Sequence, residues 1–297
     1  MDDDAQTQPE PVQLPVAPAS VRDAAVIELT RVNEYVQTRS AAGWTTPSAV
    51  PDWTVGDVVT HLNLAIAVYS RLVGIVLAGQ GSGGVWRAMG KISERLAPVA
   101  MPAFNKINSA IPRVIDRALS PEVIRAQFST SSRNLREQLS RVGPQDYTRS
   151  VYYAGGPWPL SFFLSAVVDE LAIHGWDMVS PTDPQARLSL EARQVIPHFF
   201  WSGTPFLLHL PKDTAGTVQI AVSDPPTYLW WQIENGKATP QVGQAEKAGA
   251  ICTGDAGALA LVLAGRIKAE DALRTTALQV DGDETLARAF LSSWRIT

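Results

Sequence analysis

Cysteine is almost missing from this chain of 297 residues, which contains Cys252 and no second cysteine. An internal disulfide is therefore impossible, and a zinc site built from several thiolates is excluded as well. A chain of this kind fits a reducing compartment, so we expect a cytoplasmic protein. Cys252 lies in an apolar, strand-like segment, where we expect its thiol to be buried and inert.

An excess of positive charge is also missing. The chain carries 25 lysines and arginines against 29 aspartates and glutamates, which gives a formal net charge of −4. This balance argues against bulk nucleic-acid binding and favours small molecules as partners. The N-terminus lacks the basic start and apolar run of a signal peptide, and we expect residues 1–17, acidic at first and rich in proline, to form a disordered tail.

No apolar run meets the requirements of a membrane-spanning helix. The nearest candidate, Leu62 to Ala78, is interrupted by Asn63, Ser70 and Arg71. A spanning helix needs about 20 consecutive, predominantly apolar residues. We therefore expect a buried helix of a soluble bundle here, and no membrane partner.

Four long amphipathic segments carry helix signals, and short connections join most of them. This pattern predicts an up-down four-helix bundle. The second helix should run to about Leu77, and a loop with Tyr152 and Tyr153, two candidates for substrate contact, should precede the fourth. The helix starts are marked by cap residues and by helix-starting prolines: Ser20, the pair Thr54 and Asp57, the pair Ser120 and Pro121, and Pro159.

One connection, roughly Leu72 to Leu119, is long for a bundle crossing. Residues 85–117 combine an excess of basic side chains with interleaved apolar ones. Three interpretations stay open: an amphipathic helical hairpin on the bundle, a lid over a bulky substrate, or a membrane-surface segment.

After about Pro211 the sequence becomes strand-like. Thr217 to Val222 and Tyr228 to Ile233 have strand composition, Asn235-Gly236 is a hairpin turn signal, and apolar-periodic helices follow. The sequence therefore predicts a tail over 1–17, a helical bundle over 18–209 and a small α+β domain over 210–297.

Two histidines and a glutamate stand out in helices with few charges. Glu170 and His174 are four residues apart and share one helix face, with Asp177 one turn further. Their helix, Pro159 to Ser180, contains no lysine or arginine, so the carboxylate has apolar neighbours, where an unpaired charge is very costly. His61 has a similar setting. Two imidazoles and a carboxylate suit a divalent metal with an open position, although buried histidines are also ordinary core residues.

The motifs WTVxDxxxHL at 53–62 and ELAxHGWD at 170–177 resemble the mycothiol-dependent maleylpyruvate isomerase family, whose metal-binding domain is similar to DinB-like four-helix bundles. The run from Gly254 to Arg266, with Asp281-Gly282-Asp283, resembles the family's sterol-carrier-like second domain. The resemblance implies a DinB-like bundle with a helical insertion, followed by a sterol-carrier-like α+β domain.

The resemblance also implies ligands and cofactors. It places a divalent metal, usually zinc, on His61, Glu170 and His174, and it suggests mycothiol as a cosubstrate. Asp177 is a candidate catalytic residue that accepts a hydrogen bond from a ligand or the cosubstrate, and otherwise only ends its helix. Arg266 is a candidate for contact with an anionic group, and otherwise a surface arginine.

Three functions remain open at this point. The first is a metal-dependent isomerase or thiol S-transferase that uses a low-molecular-weight thiol on a small electrophile. The second is a metal-dependent hydrolase or biosynthetic cyclase that has abandoned the thiol. The third is a non-catalytic protein that binds apolar ligands, as a sterol-carrier-like domain would suggest. The long 72–119 region leaves the substrate undetermined.

Overall fold

The chain folds as two units, a helical one over Ala17–Ala192 and a second one that starts at Arg193. The structure is a computed structural model that describes residues 16–79, 110–153 and 156–294. Most of the expected tail and residues 80–109 of the long connection lie outside the described residues. The domain boundary between residues 209 and 210 stays a prediction.

The helical unit contains six helices and two short strands among its described residues. In chain order they are α1 (Pro18–Thr38), α2 (Ala41–Trp44), α3 (Val55–Leu77), α4 (110–118), α5 (Pro121–Ser140), β1 (Ser150–Tyr153), β2 (Gly156–Pro159) and α6 (Leu160–Val179).

Cap chemistry fixes where these helices begin. The Asp57 amide donates to the Thr54 hydroxyl at 3.2 Å, and the Thr54 amide donates to the Asp57 carboxylate at 2.9 Å, so the expected capping box opens α3. That helix ends at Leu77, as expected. The expected Ser20 cap is wrong, because α1 begins at Pro18. Proline suits the first helical turn, where its missing N–H would have no partner anyway.

The four long helices form the predicted bundle. Helices α1 and α3 each contact both α5 and α6. Helices α1 and α3 are therefore diagonally opposite each other in the bundle. Their shared core consists of fully buried apolar side chains, such as Leu29, Leu62, Ile66, Ile124, Phe128, Leu135, Phe163 and Leu164.

The expected loop before α6 is instead a β-hairpin. Strand β1 pairs antiparallel with β2, with Ser150 opposite Pro159 and Tyr153 opposite Gly156. Val151 and Trp158 are buried on one side of this hairpin. Valine, tyrosine and tryptophan favour a pleated, half-buried surface, and this preference outweighs the glycines and prolines that suggested a loop.

The second unit is a five-stranded mixed sheet with helices. Its elements are α7 (Leu190–Leu207), β3 (Gly216–Ser223), β4 (Pro226–Glu234), β5 (Lys237–Val242), β6 (Ala250–Gly254), α8 (Ala256–Leu263), α9 (Ala269–Arg274), β7 (Leu278–Gly282) and α10 (Glu284–Leu291). The strand order is β5-β4-β3-β6-β7, and β3 pairs parallel with β6 while the other pairs are antiparallel. Asn235 and Gly236 both have positive φ, as the predicted two-residue hairpin turn requires.

Helix α3 is long and apolar enough to span a membrane by composition, the one such helix among the described residues. Half of its most apolar stretch is buried inside the structure. This burial is what a core helix of a bundle shows, and α3 also contains buried polar residues, Asp57 and His61.

Candidate metal centre

Helices α3 and α6 bring the three expected metal ligands together. His61 Nε2 lies 2.9 Å from Glu170 Oε1, and His174 Nε2 lies 3.7 Å from the same oxygen. One donor atom from each side chain lies within 4.8 Å of the other two. Glu170 and His174 share a face of α6 because they are one turn apart, whereas His61 reaches them from a point 109 residues earlier in the chain.

Asp177 orients His174 from the far side of the ring. The Asp177 Oδ2 atom lies 2.8 Å from His174 Nδ1, and the Asp177 side chain is completely buried. A carboxylate at Nδ1 holds the proton there, so that Nε2 presents its lone pair toward Glu170 and His61. The structure thus gives Asp177 a partner inside the cluster.

The cluster is largely withdrawn from solvent. The side chains of His61, Glu170 and His174 are 11%, 15% and 10% exposed. The two imidazole rings meet edge to face at 4.8 Å, and the Trp53 ring lies 5.5 Å from that of His61. Glu170 keeps partial contact with solvent, while burial strengthens the electrostatic interactions inside the cluster.

The donor set fits a divalent cation. Zinc in proteins is bound by imidazole nitrogen and carboxylate oxygen, and three protein ligands leave one position open for a reacting group. In a tetrahedral site with bonds of about 2.1 Å, the donor atoms lie about 3.4 Å apart. The separations in the cluster bracket that value, so a small side-chain movement suffices. The same side chains would also form an ordinary histidine–carboxylate hydrogen-bond cluster.

Two tyrosines, Tyr69 and Tyr153, form a pair of which the sequence indicated only Tyr153. The Tyr69 and Tyr153 hydroxyl oxygens lie 3.4 Å apart. Burial, together with the charge of Glu170, raises the pKa of Tyr69 well above its usual value and that of Tyr153 to about 12. Tyr153 was a candidate from its place before α6, but Tyr69 carried no signal, since a single tyrosine in an apolar helix looks like core.

The last candidate, Arg266, lies in the second unit, together with the chain's cysteine and its two other histidines. Arg266 follows α8, and its Nη1 donates to the Ala264 carbonyl at 3.1 Å; its contact with an anionic group stays a prediction. Cys252 is completely buried on β6, and burial raises the pKa of its thiol to about 12. His198 is buried beside Trp201, with ring centroids 6.0 Å apart, while His209 is exposed.

Family comparisons match both units. The mycothiol maleylpyruvate isomerase N-terminal domain matches residues 25–179, and the SCP-2 sterol transfer family matches residues 208–292. No curated protein matches the chain.

Solved structures show the same fold. The crystal structure of a mycothiol-dependent maleylpyruvate isomerase is 14% identical, with a TM-score of 0.54, and the match covers 86% of this chain and 91% of that one. A histidine-to-alanine mutant of such an isomerase is 15% identical, with the same TM-score and coverage of 85% and 90%. The predicted architecture, a helical bundle followed by a sterol-carrier-like α+β domain, is confirmed.

Proposed function

Because the chain belongs to the mycothiol maleylpyruvate isomerase family, we propose that it is a divalent-metal-dependent enzyme that uses a low-molecular-weight thiol such as mycothiol. The reaction we propose is isomerisation of, or S-transfer to, a small electrophilic substrate. The observation that carries the proposal is the buried cluster of His61, Glu170 and His174, whose donor atoms lie within 4.8 Å of one another.

Each residue of the cluster has a distinct part. His61, Glu170 and His174 would hold the ion, for which zinc is the natural choice with two imidazoles and one carboxylate. A divalent ion there supplies positive charge that lowers the pKa of a thiol and so favours thiolate at neutral pH. Asp177 fixes the His174 ring by its 2.8 Å contact with Nδ1.

The nucleophile has to come from a cosubstrate. The chain's single cysteine is buried, and the pKa of its thiol is raised to about 12, so it remains protonated and inaccessible at neutral pH. A small thiol such as mycothiol supplies what the chain lacks. Arg266 remains our candidate for contact with an anionic group of substrate or thiol.

The apolar-carrier alternative has weaker support. In the sterol-carrier-like unit, one apolar cavity between α7, the sheet and α8 has a volume of about 20 Å³ and is lined by residues such as Pro197, Phe200 and Trp231. Cavities that hold small-molecule ligands are about 300–1,000 Å³. Trp231 is almost completely buried and is packed against Phe290 and Trp294, so side chains occupy this core. No specific observation favours a thiol-free hydrolase or cyclase.

Thermal unfolding with mycothiol tests the thiol requirement. A ligand that binds only the folded protein raises its stability, by about 2.7 kcal/mol at a hundredfold excess over Kd. We expect mycothiol to raise the Tm of the zinc-loaded protein and S-methylmycothiol to raise it much less. The Glu170→Ala variant should lose this difference. An equal response to both compounds would favour an enzyme that has abandoned the thiol.

A further inference from the structure

The interface between α3 and α6, here called the seam, continues beyond the candidate metal ligands. Tyr69 lies two turns after His61 on α3, and Phe163 lies two turns before Glu170 on α6. The Tyr69 and Phe163 rings meet edge to face at 5.5 Å, so the two helices run antiparallel along this seam. Helical side chains lean toward the N-terminus of their helix, and the Tyr69 side chain therefore leans back toward His61.

Tyr153 meets Tyr69 from the β-hairpin that precedes α6. Its ring packs against Trp158 at 5.3 Å and Phe163 at 5.4 Å, and its hydroxyl oxygen lies 3.4 Å from that of Tyr69. Tyr69 is 5% exposed. Four aromatic rings, from α3, β1, β2 and α6, thus hold two hydroxyl groups side by side in a largely buried place.

One of the two O–H hydrogens of the hydroxyl pair is not needed for the hydrogen bond between them. Each phenol has one O–H hydrogen, and one hydrogen is enough for the bond between the two oxygens. Among the described residues, each hydroxyl has the other as its hydrogen-bond partner. Both phenols are protonated at neutral pH, since burial and then the charge of Glu170 raise the tyrosine pKa above its ordinary value.

We propose that Tyr153 and Tyr69 donate a hydrogen bond to a substrate oxygen that is conjugated with the electrophilic double bond. This assignment rests on the proposed function and adds two positioned hydrogen-bond donors to its site. When the thiolate sulfur adds to the alkene carbon, a C–S bond forms and the π electron pair moves onto that oxygen as an enolate. Rotation about the resulting single bond follows; the enolate then collapses, breaks the C–S bond and returns the thiolate.

The hydroxyl pair stabilises this reaction selectively. Negative charge on the substrate oxygen grows as the C–S bond forms, so a donor that is already positioned there stabilises the transition state more than the bound substrate. Neutral phenols donate without adding a formal charge beside the metal ligands.

Binding of maleate, a small cis-unsaturated diacid, tests the assignment. Isothermal titration calorimetry compares zinc-loaded wild-type protein with Tyr153→Phe and Tyr69→Phe, which each remove one hydroxyl and keep the ring. Tyr228→Phe is the matched control, since Tyr228 is 40% exposed in the second unit. We expect the affinity for maleate to fall about tenfold or more in both seam variants, as loss of a hydrogen bond to a charged group requires. Zinc content and Tm should stay unchanged, which a merely structural role for the hydroxyls would not predict.

Two failures can be told apart. If the wild-type protein takes up zinc but does not bind maleate, or if all four proteins bind it equally, the tyrosine assignment is wrong and the metal centre stands. If the wild-type protein takes up no zinc, the proposed metal-dependent function fails, and the tyrosine assignment that rests on it fails too.

Discussion

Asp177 is the residue whose charge sets the orientation of the His174 ring. Its carboxylate is completely buried and lies 2.8 Å from His174 Nδ1. We expect Asp177→Asn to keep the fold and to weaken zinc binding about tenfold to a hundredfold, because residues that orient a metal ligand typically contribute that much. Competition with a chromophoric chelator measures the affinity. Asp213→Asn, at an exposed position of the second unit, is the control and should bind zinc as the wild type does.

Cys252 tests the claim that the nucleophile is external. Its thiol is buried and its pKa is raised to about 12, so reaction with Ellman's reagent at pH 8 should be negligible in the folded protein. In guanidinium chloride one thiol per chain should react. Rapid labelling of the folded protein, combined with loss of thiol-dependent activity, would contradict the external-thiol account.

His198 introduces a pH dependence into the stability of the second unit. Burial lowers the pKa of this imidazole from 6.5 to about 4, so the unfolded chain takes up a proton at a pH where the folded chain does not. The free energy of unfolding therefore falls as pH drops below 6.5, and the loss is complete below about pH 4. Between pH 7 and pH 5 this group should remove about 2 kcal/mol.

Urea unfolding at pH 7, 6 and 5 measures this effect. We expect His198→Leu to show a shallower decline with falling pH than the wild type, while His209→Leu, at an exposed position, should follow the wild type. Parallel curves for wild type and His198→Leu would show that burial does not perturb this histidine.

At the scale of single elements, α3 contains one glycine with no room for a side chain and one with room for it. A Cβ at Gly56 would lie 2.2 Å from Trp44 Nε1 and 2.6 Å from Asp116 Oδ1, whose own hydrogen bond is 2.8 Å long. A Cβ at Gly74 would meet nothing closer than 3.5 Å, at Gln138. Gly56 is therefore needed for close packing, whereas Gly74 only adds flexibility to the unfolded chain.

Alanine at the two positions should act in opposite directions. We expect Gly56→Ala to lower the free energy of unfolding by about 1–3 kcal/mol through overpacking. Gly74→Ala should raise it by about 0.5–1 kcal/mol, the usual gain for alanine over glycine inside a helix. Chemical denaturation of both variants checks this, and equal effects would mean that α3 does not pack against Trp44 as described.

Local signals explain which elements could be predicted. The Thr54 and Asp57 box gave the start of α3, because its two hydrogen bonds depend on residues three apart in the sequence. The hairpin of β1 and β2 was missed because its strands are four residues each and the second one contains glycine and proline. Their stability comes from burial of Val151 and Trp158, which depends on the rest of the fold.

Across the whole molecule, the placement of residues close together in the sequence could be predicted from their spacing, whereas contacts between distant residues could not. Glu170 and His174 could be placed on one face from their spacing alone, since the helical repeat fixes it. That His61 joins them across 109 residues followed from the family resemblance and not from periodicity. The pairing of Tyr69 with Tyr153, 84 residues apart, had no local signal, because it depends on how α3 packs against the hairpin.

Zinc stoichiometry tests the central claim, that one cation is bound by His61, Glu170 and His174, most directly. Metal-stripped protein is titrated with zinc and its content determined by mass spectrometry, for wild type, His61→Ala, His174→Ala and the exposed-histidine control His209→Ala. We expect about one zinc per chain in wild type and control, and at least a tenfold loss of affinity in the two cluster variants. No uptake by the wild type, or equal uptake by all four proteins, would contradict the account and leave the cluster an ordinary hydrogen-bond network.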